Sequence, residues 1–249
     1  MTQDELNEAL LEAARNGNVR KAKALVRKGA EIDAETQGVQ PLHLAASAGQ
    51  VELVKFLIGC GAEIDAATSV GYQPLHFAAS KGNNGEVAKL LIDRGARIDA
   101  EGMNGRQPLH NAALWGSVAA AELLIGRGAQ VDARDRHAER PLHIAAQYGQ
   151  VETGRLLLAK GAGIEARNKE GRHPLHHAAQ AGKREFVEFL LEQGADLEAL
   201  DILEQTPRDL CRDKAIQALL QKAEDEVMIA AHLKRQRQLG SLRPKAPTM

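Results

Sequence analysis

Nine histidines give this 249-residue chain most of its chemical reach, and five of them keep a strict beat. His43, His76, His110, His143 and His176 follow one another at intervals of 33, 34, 33 and 33 residues. Evenly spaced imidazoles invite a metal ladder, because neutral imidazole is a common metal ligand. Distance argues against it. Helices packed side by side lie about 10 Å apart, whereas zinc–nitrogen bonds are about 2 Å long. His176 and His177 are adjacent, so on a helix their side chains diverge, and HPLHH is not a zinc spacing. Motifs for nucleophilic, phosphoryl or metal-assisted chemistry are absent: no G-x-x-x-x-G-K-[ST], no G-x-S-x-G, no H-E-x-x-H. The carboxylates recur in step with the histidines and read as solvated or structural. Cys60 and Cys211 have no CxxC spacing; Cys60 has no local basic residue to activate it, and Cys211, in the place of a repeat alanine, reads as a buried small thiol. We therefore expect no enzyme, no cofactor, no metal and no small-molecule substrate.

What positions these histidines is a repeat. QPLHLAASAG, starting at Gln40, recurs as QPLHFAASKG, QPLHNAALWG, RPLHIAAQYG and HPLHHAAQAG. The prolines are Pro41, Pro74, Pro108, Pro141 and Pro174, with Pro207 in a degenerate copy. A second signature, GAEIDA and its variants, places glycines at 29, 61, 95, 128, 161 and 194. Proline suits the first turn of a helix, where its missing N–H is not needed. Leu42, Ala45 and Ala46 follow at helical spacing, and Gly49 ends the helix in a position fit for positive φ. VELVKFLIG predicts a second helix, with Val51, Val54, Leu57 and Ile58 on one face. The run to the next proline reads as a turn or hairpin finger. A lone helix pair cannot bury its apolar face, so the copies must stack into a continuous core. Small alanines permit close approach, which accounts for an aromatic content of only 3%.

A period of 33 with P-L-H-x-A-A-x-x-G and then L-L-x-x-G-A resembles the ankyrin repeat family, over roughly residues 6 to 220. The resemblance implies an all-α solenoid of helix–turn–helix units with β-hairpin or turn fingers. It also implies that each repeat histidine ties a finger to neighbouring backbone. The expected organisation is an N-terminal capping repeat at 1–34, five full repeats at 35–199, a C-terminal capping repeat at 200–222, and a helical extension with a basic, Pro-containing tail at 223–249. Three departures stand out. Gln40, Gln73, Gln107, Arg140 and His173 replace the family's helix-capping Thr, which only Thr206 keeps; a lost cap costs about 0.5–2 kcal/mol. One unit carries an extra residue in GNNGE, from Gly82 to Glu86. Asp33, Asp65, Asp99, Asp132, Glu165 and Glu198 stand where the family often has a hydroxylatable Asn, so that modification is not expected.

In a stack, positions shared between copies hold the fold, and positions that differ are free to bind. The resemblance places a binding groove along the finger tips and the two residues before each first-helix glycine. Those pairs are Ser47-Ala48, Ser80-Lys81, Leu114-Trp115, Gln147-Tyr148 and Gln180-Ala181. The only Trp (Trp115) and both Tyr (Tyr72, Tyr148) fall at groove positions, while Phe56, Phe77, Phe186 and Phe189 fall at packing positions. Amphipathic aromatics on a groove are the stuff of binding hot spots. Met103 and Leu114 extend the apolar centre. Lys81, Arg106, Arg136, Lys169 and Arg172 outnumber Glu139 and Glu170 there. The expected partner is a protein with an acidic and apolar segment, bound by Tyr72, Met103, Arg106, Leu114, Trp115, Arg136, Tyr148 and Arg172.

The formal net charge of −1 argues against a whole-chain nucleic-acid or membrane-surface binder. From Val227 onward, however, the chain has no acid and holds Lys234, Arg235, Arg237, Arg243 and Lys245. Two rivals follow to a scaffold or adaptor working through its concave groove. One is a tether to nucleic acid or anionic membrane through this tail; the other is a host-directed effector. Isolated thiols and the lack of an apolar leader point to a cytoplasmic setting, with the nucleus or a host cytosol as alternatives.

Overall fold

The computed structural model describes residues 1–80 and 85–241, with side chains in the last helix described through Ala230 and at Leu233. Among the described residues the regular structure is helical: α1 (Gln3–Arg15), α2 (Val19–Arg27), α3 (Pro41–Ser47), α4 (Val51–Gly59), α5 (Pro74–Ala79), α6 (Gly85–Asp93), α7 (Pro108–Trp115), α8 (Val118–Gly126), α9 (Pro141–Tyr148), α10 (Val151–Ala159), α11 (Pro174–Gln180), α12 (Arg184–Glu192), α13 (Pro207–Leu210) and α14 (Lys214–Ser241). Each proline of the repeat sits at the start of an odd-numbered helix. Gly49, Gly116, Gly149 and Gly182 follow those helices with φ of 69°, 69°, 73° and 67°, a region L side chains rarely enter.

The helices form two layers. From α3 to α13 each odd helix packs on the next odd helix, and from α2 to α12 each even helix packs on the next even one. Leu42, Ala45 and Ala46 are fully buried, as are the matching residues of α5, α7 and α9. Alanine pairs at every level bring the odd helices close enough that one leucine per turn fills the space. In α4 the buried face is Leu53, Val54 and Leu57, while Val51 and Ile58 are only half-buried. The even layer is thus buried along a stripe rotated toward Leu53, because it packs on two neighbours and the odd layer at once. The largest fully buried side chain, Phe186, fills the space left by Gly154, where a Cβ would lie 2.6 Å from its ring.

Fingers join the units as turns. They close through Thr68 N–H to Tyr72 O (2.9 Å), Gly102 to Arg106 (2.9 Å), Asp135 to Glu139 (2.9 Å) and Asn168 to Arg172 (3.0 Å). The sole bridge outside helices among the described residues pairs Thr36 with Val39. The repeat histidines fix these fingers. Nε2 of His76, His110, His143 and His176 donates to Arg106 O (3.0 Å), Glu139 O (3.1 Å), Arg172 O (3.1 Å) and Gln205 O (3.1 Å). His43 Nε2 donates to Ala66 O (2.9 Å) and Tyr72 O (3.2 Å). On the other side of each ring, Nδ1 accepts the backbone N–H of the residue just before its own helix (Gln40, Gln73, Gln107, Arg140 or His173), at 3.1–3.2 Å. Both ring nitrogens are engaged, so the imidazole must be the neutral Nε2–H form.

That second bond bears on the missing threonines. None of Gln40, Gln73, Gln107, Arg140 or His173 caps its helix with a side-chain bond, so the longer side chains do not substitute. Arg140 and His173 instead pair with the repeat acids Asp132 (3.3 Å) and Glu165 (2.6 Å). The repeat acids themselves reach across units: Asp33, Asp65 and Glu165 accept N–H groups of Glu63, Arg97 and Asp196. Their recurrence is structural. Cys211 is buried in the place of a repeat alanine, and Cys60 is exposed.

Candidate binding groove

Between the fingers and the odd helices runs a groove with three chemically distinct stretches. Residues directly after repeat histidines line it: Leu44, Phe77 and Asn111 in the first two stretches and His177 in the third. These are the variable neighbours of an invariant anchor, held in place because the histidine beside them is pinned at both nitrogens.

The first stretch, under α1 and α3, is a cleft of about 340 Å³ lined by Glu8, Leu11, Glu12, Val39 and Leu44 among others. Its wall carries Glu8 and Glu12 beside Arg15, and Lys21 already pairs with Glu12 at 2.6 Å. The second stretch is a largely apolar cleft of similar size, about 340 Å³, built by Tyr72, Phe77, Leu114 and Trp115 over His76 and Asn111. Tyr72 is placed by its ring contacts with His76 (5.2 Å between centroids) and Phe77 (6.3 Å). It also covers Gly102, where any Cβ would meet the tyrosine ring at 2.3 Å. Trp115 ends α7 and is 58% exposed, an unusual state for the largest side chain.

The third stretch is polar and internally satisfied. Arg106 reaches Asp135 (3.4 Å) and Glu139 (3.2 Å), and Asp135 accepts the N–H groups of His137 (2.8 Å) and Glu139 (3.0 Å). Asn168 Nδ2 donates to His177 Nε2 (3.2 Å), which leaves the His177 proton on Nδ1, 3.9 Å from Glu139. Arg172 pairs with the buried Asp201 at 3.2 Å and with Gln180 at 3.4 Å. Burial drives the His177 pKa down to about 3, and nearby positive charges add to the effect. Burial and the adjacent Asp135 push Glu139 up.

The structure therefore brings together Tyr72, Leu114 and Trp115 around one cleft. Met103 lies exposed on a finger tip, Arg136 is exposed on the next, and Tyr148 is exposed at the end of α9 outside the cleft's lining. Arg106 and Arg172 face the groove but spend their charge on Asp135 and Asp201, two carboxylates absent from the sequence tally of groove charge. With those two counted, and with Glu8 and Glu12 at the far end, the groove is not uniformly positive. Lys81 falls outside the described residues. Phe77 corrects an expectation: it is half-buried against the core yet also walls the cleft. Its signal was available, since the residue after the repeat histidine varies from copy to copy as a groove residue should.

A family model described as ankyrin repeats matches residues 1–68, 55–135 and 134–201. The chain belongs to the ankyrin-repeat family. Among solved structures, the crystal structure of the human ASB11 ankyrin repeat domain superposes with a TM-score of 0.75 at 26% identity, covering 86% of this chain and 96% of that one. No curated protein matches. Ankyrin repeats are in general protein–protein interaction modules and in general non-catalytic, and extended arrays bind through the surface their curvature creates. Among the described residues, no helix is long and apolar enough to cross a membrane.

Proposed function

We propose that this ankyrin array is a non-catalytic scaffold or adaptor that holds a protein partner in its concave groove. The observation that carries this reading is the aromatic cleft of Tyr72, Phe77, Leu114 and Trp115. It is an apolar socket with an exposed tryptophan at its rim, on a scaffold whose fingers are fixed by buried hydrogen bonds. Rigid fingers lose little entropy on binding, and a desolvated aromatic pocket is where truncations cost most affinity. The five full units, 35–199, carry the aromatic cleft, while 1–34 and 200–222 close the stack at its ends and lend residues to the ends of the groove.

The partner is a peptide or domain surface with an aromatic or aliphatic anchor for the cleft. Acidic residues flank that anchor on the side of Arg136 and Lys169, since Arg106 and Arg172 are already neutralised. Met103 and Tyr148 extend the contact on either side of Trp115. The test compares affinity capture from the native cell for wild type and for Trp115→Ala with Tyr148→Ala, both verified as folded by circular dichroism. A partner lost with the double variant is then titrated against wild type while Trp115 emission is followed, the chain's single tryptophan being its own reporter. Loss of capture together with a saturable shift in emission supports the groove. Capture unchanged by the double variant, with no emission change, sinks it.

A further inference from the structure

The first turns of α14 belong to the array: Ile216 and Leu220 are buried, and Glu224 pairs with Arg208 at 2.8 Å. Beyond that point the helix leaves the repeats. Val227, Met228, Ile229 and Leu233 are 60%, 68%, 60% and 49% exposed. A helical segment that packs on nothing is marginal in water, and four large apolar residues on it call for cover. The order of charge along the segment says what the cover is. Glu224-Asp225-Glu226 precedes the uncharged run Val227 to Leu233, and Lys234-Arg235-Gln236-Arg237 follows it. Acid, apolar and base in that order form a pattern complementary to its own reverse.

We propose that the distal half of α14 pairs antiparallel with the same segment of a second copy of this chain, about a two-fold axis at Ala230. In this register Val227 lies across from Leu233 of the second copy and Glu226 across from position 234, which is Lys in the sequence, while Asp225 and position 235 lie on the far side of the helix and add their charge to the two ends. A two-fold interface repeats each pairing, so the acid–base pair forms twice. Parallel pairing would set acid on acid and base on base. A second observation agrees with the antiparallel register. A cleft of about 450 Å³ lies beside Val227 and Met228, walled by Ala195 and Leu197 and rimmed by Asp196, Glu198 and Glu224. Leu233 of the second copy arrives at this cleft. Such a helix pair falls at the small end of specific interfaces, below about 1,200 Å², so the dimer is reversible and concentration-dependent. It uses a different face from the aromatic groove and leaves that groove open.

The test is sedimentation velocity of the full chain across a micromolar concentration series. A monomer–dimer equilibrium that weakens with added salt is expected. Asp225→Lys with Glu226→Lys leaves both ends of the segment predominantly basic, and Lys234→Glu with Arg235→Glu leaves both predominantly acidic; each is expected to remain monomeric with unchanged circular dichroism. An equimolar mixture of the two variants restores the dimer, and combining all four changes in one chain restores the homodimer. A wild-type chain that stays monomeric throughout overturns the proposal. So does a dimer indifferent to these charges, or a monomer that instead sediments with anionic phosphatidylserine vesicles.

Discussion

A histidine repeated every 33 residues acts here through hydrogen bonds rather than through metal or proton transfer, and its position in the bond network makes a testable demand on pH. Nδ1 must accept and Nε2 must donate, so a second proton breaks the helix-start bond. Burial accordingly depresses these imidazoles: His76 and His143 to about 4, and His43, His110 and His176 in the same direction. In the unfolded chain they titrate near 6.5. Between those limits the unfolded state binds more protons, so their contribution is complete above about pH 6.5 and is lost as the pH falls through about 4. His177 extends the window to about 3. The urea midpoint is therefore expected to drop between about pH 7 and pH 5, before most carboxylates titrate. An unchanged midpoint over that range contradicts the neutral, doubly bonded histidine. The sequence displayed the beat of these residues plainly. It did not display Arg106–Asp135 or Arg172–Asp201, because each pair joins neighbouring units 29 residues apart, and nothing local marks which acid meets which base.

At the scale of the element, the odd helices expose how the array trades caps. Proline, leucine and glycine at fixed offsets made α3, α5, α7, α9 and α11 legible, down to the first residue. The cost of the absent threonine was less visible. Thr206 shows the lost bond: its Oγ1 accepts the Asp209 N–H at 3.2 Å. Gln40 and Gln73 provide no such bond, and their Oε1 atoms are buried without a hydrogen-bond partner. Gln40→Thr and Gln73→Thr are each expected to stabilise the chain by about 1 kcal/mol, through the added cap and the removal of an orphaned acceptor. Chemical denaturation of each single variant reads this directly; a loss of stability at both sites would show that the glutamine stems pack too well to replace. The even helices were read less accurately. Periodicity alone put Val51 and Ile58 on the buried face of α4, whereas contacts with three neighbouring helices favour Leu53, Val54 and Leu57.

Over the whole molecule, stacking makes stability a sum of neighbouring interfaces, and the ends decide whether the sum is realised. The C-terminal end divides α14 into two parts with different duties. Ile216 and Leu220 shield the last units, and Arg208 holds Gln221 and Glu224. A chain ending at residue 225 keeps all of these contacts. It is expected to unfold with a midpoint close to that of the full chain and to be monomeric at every concentration. A chain ending at residue 213 forfeits the burial of both apolar side chains, about 2 kcal/mol apiece, and leaves apolar surface of the last helices open to water. It is expected to lose several kcal/mol and to aggregate. Paired denaturation and sedimentation of the two truncations separate these duties. If the chain ending at 225 is as unstable as the one ending at 213, the distal segment supports the fold of its own molecule, and the division at Glu224 is wrong.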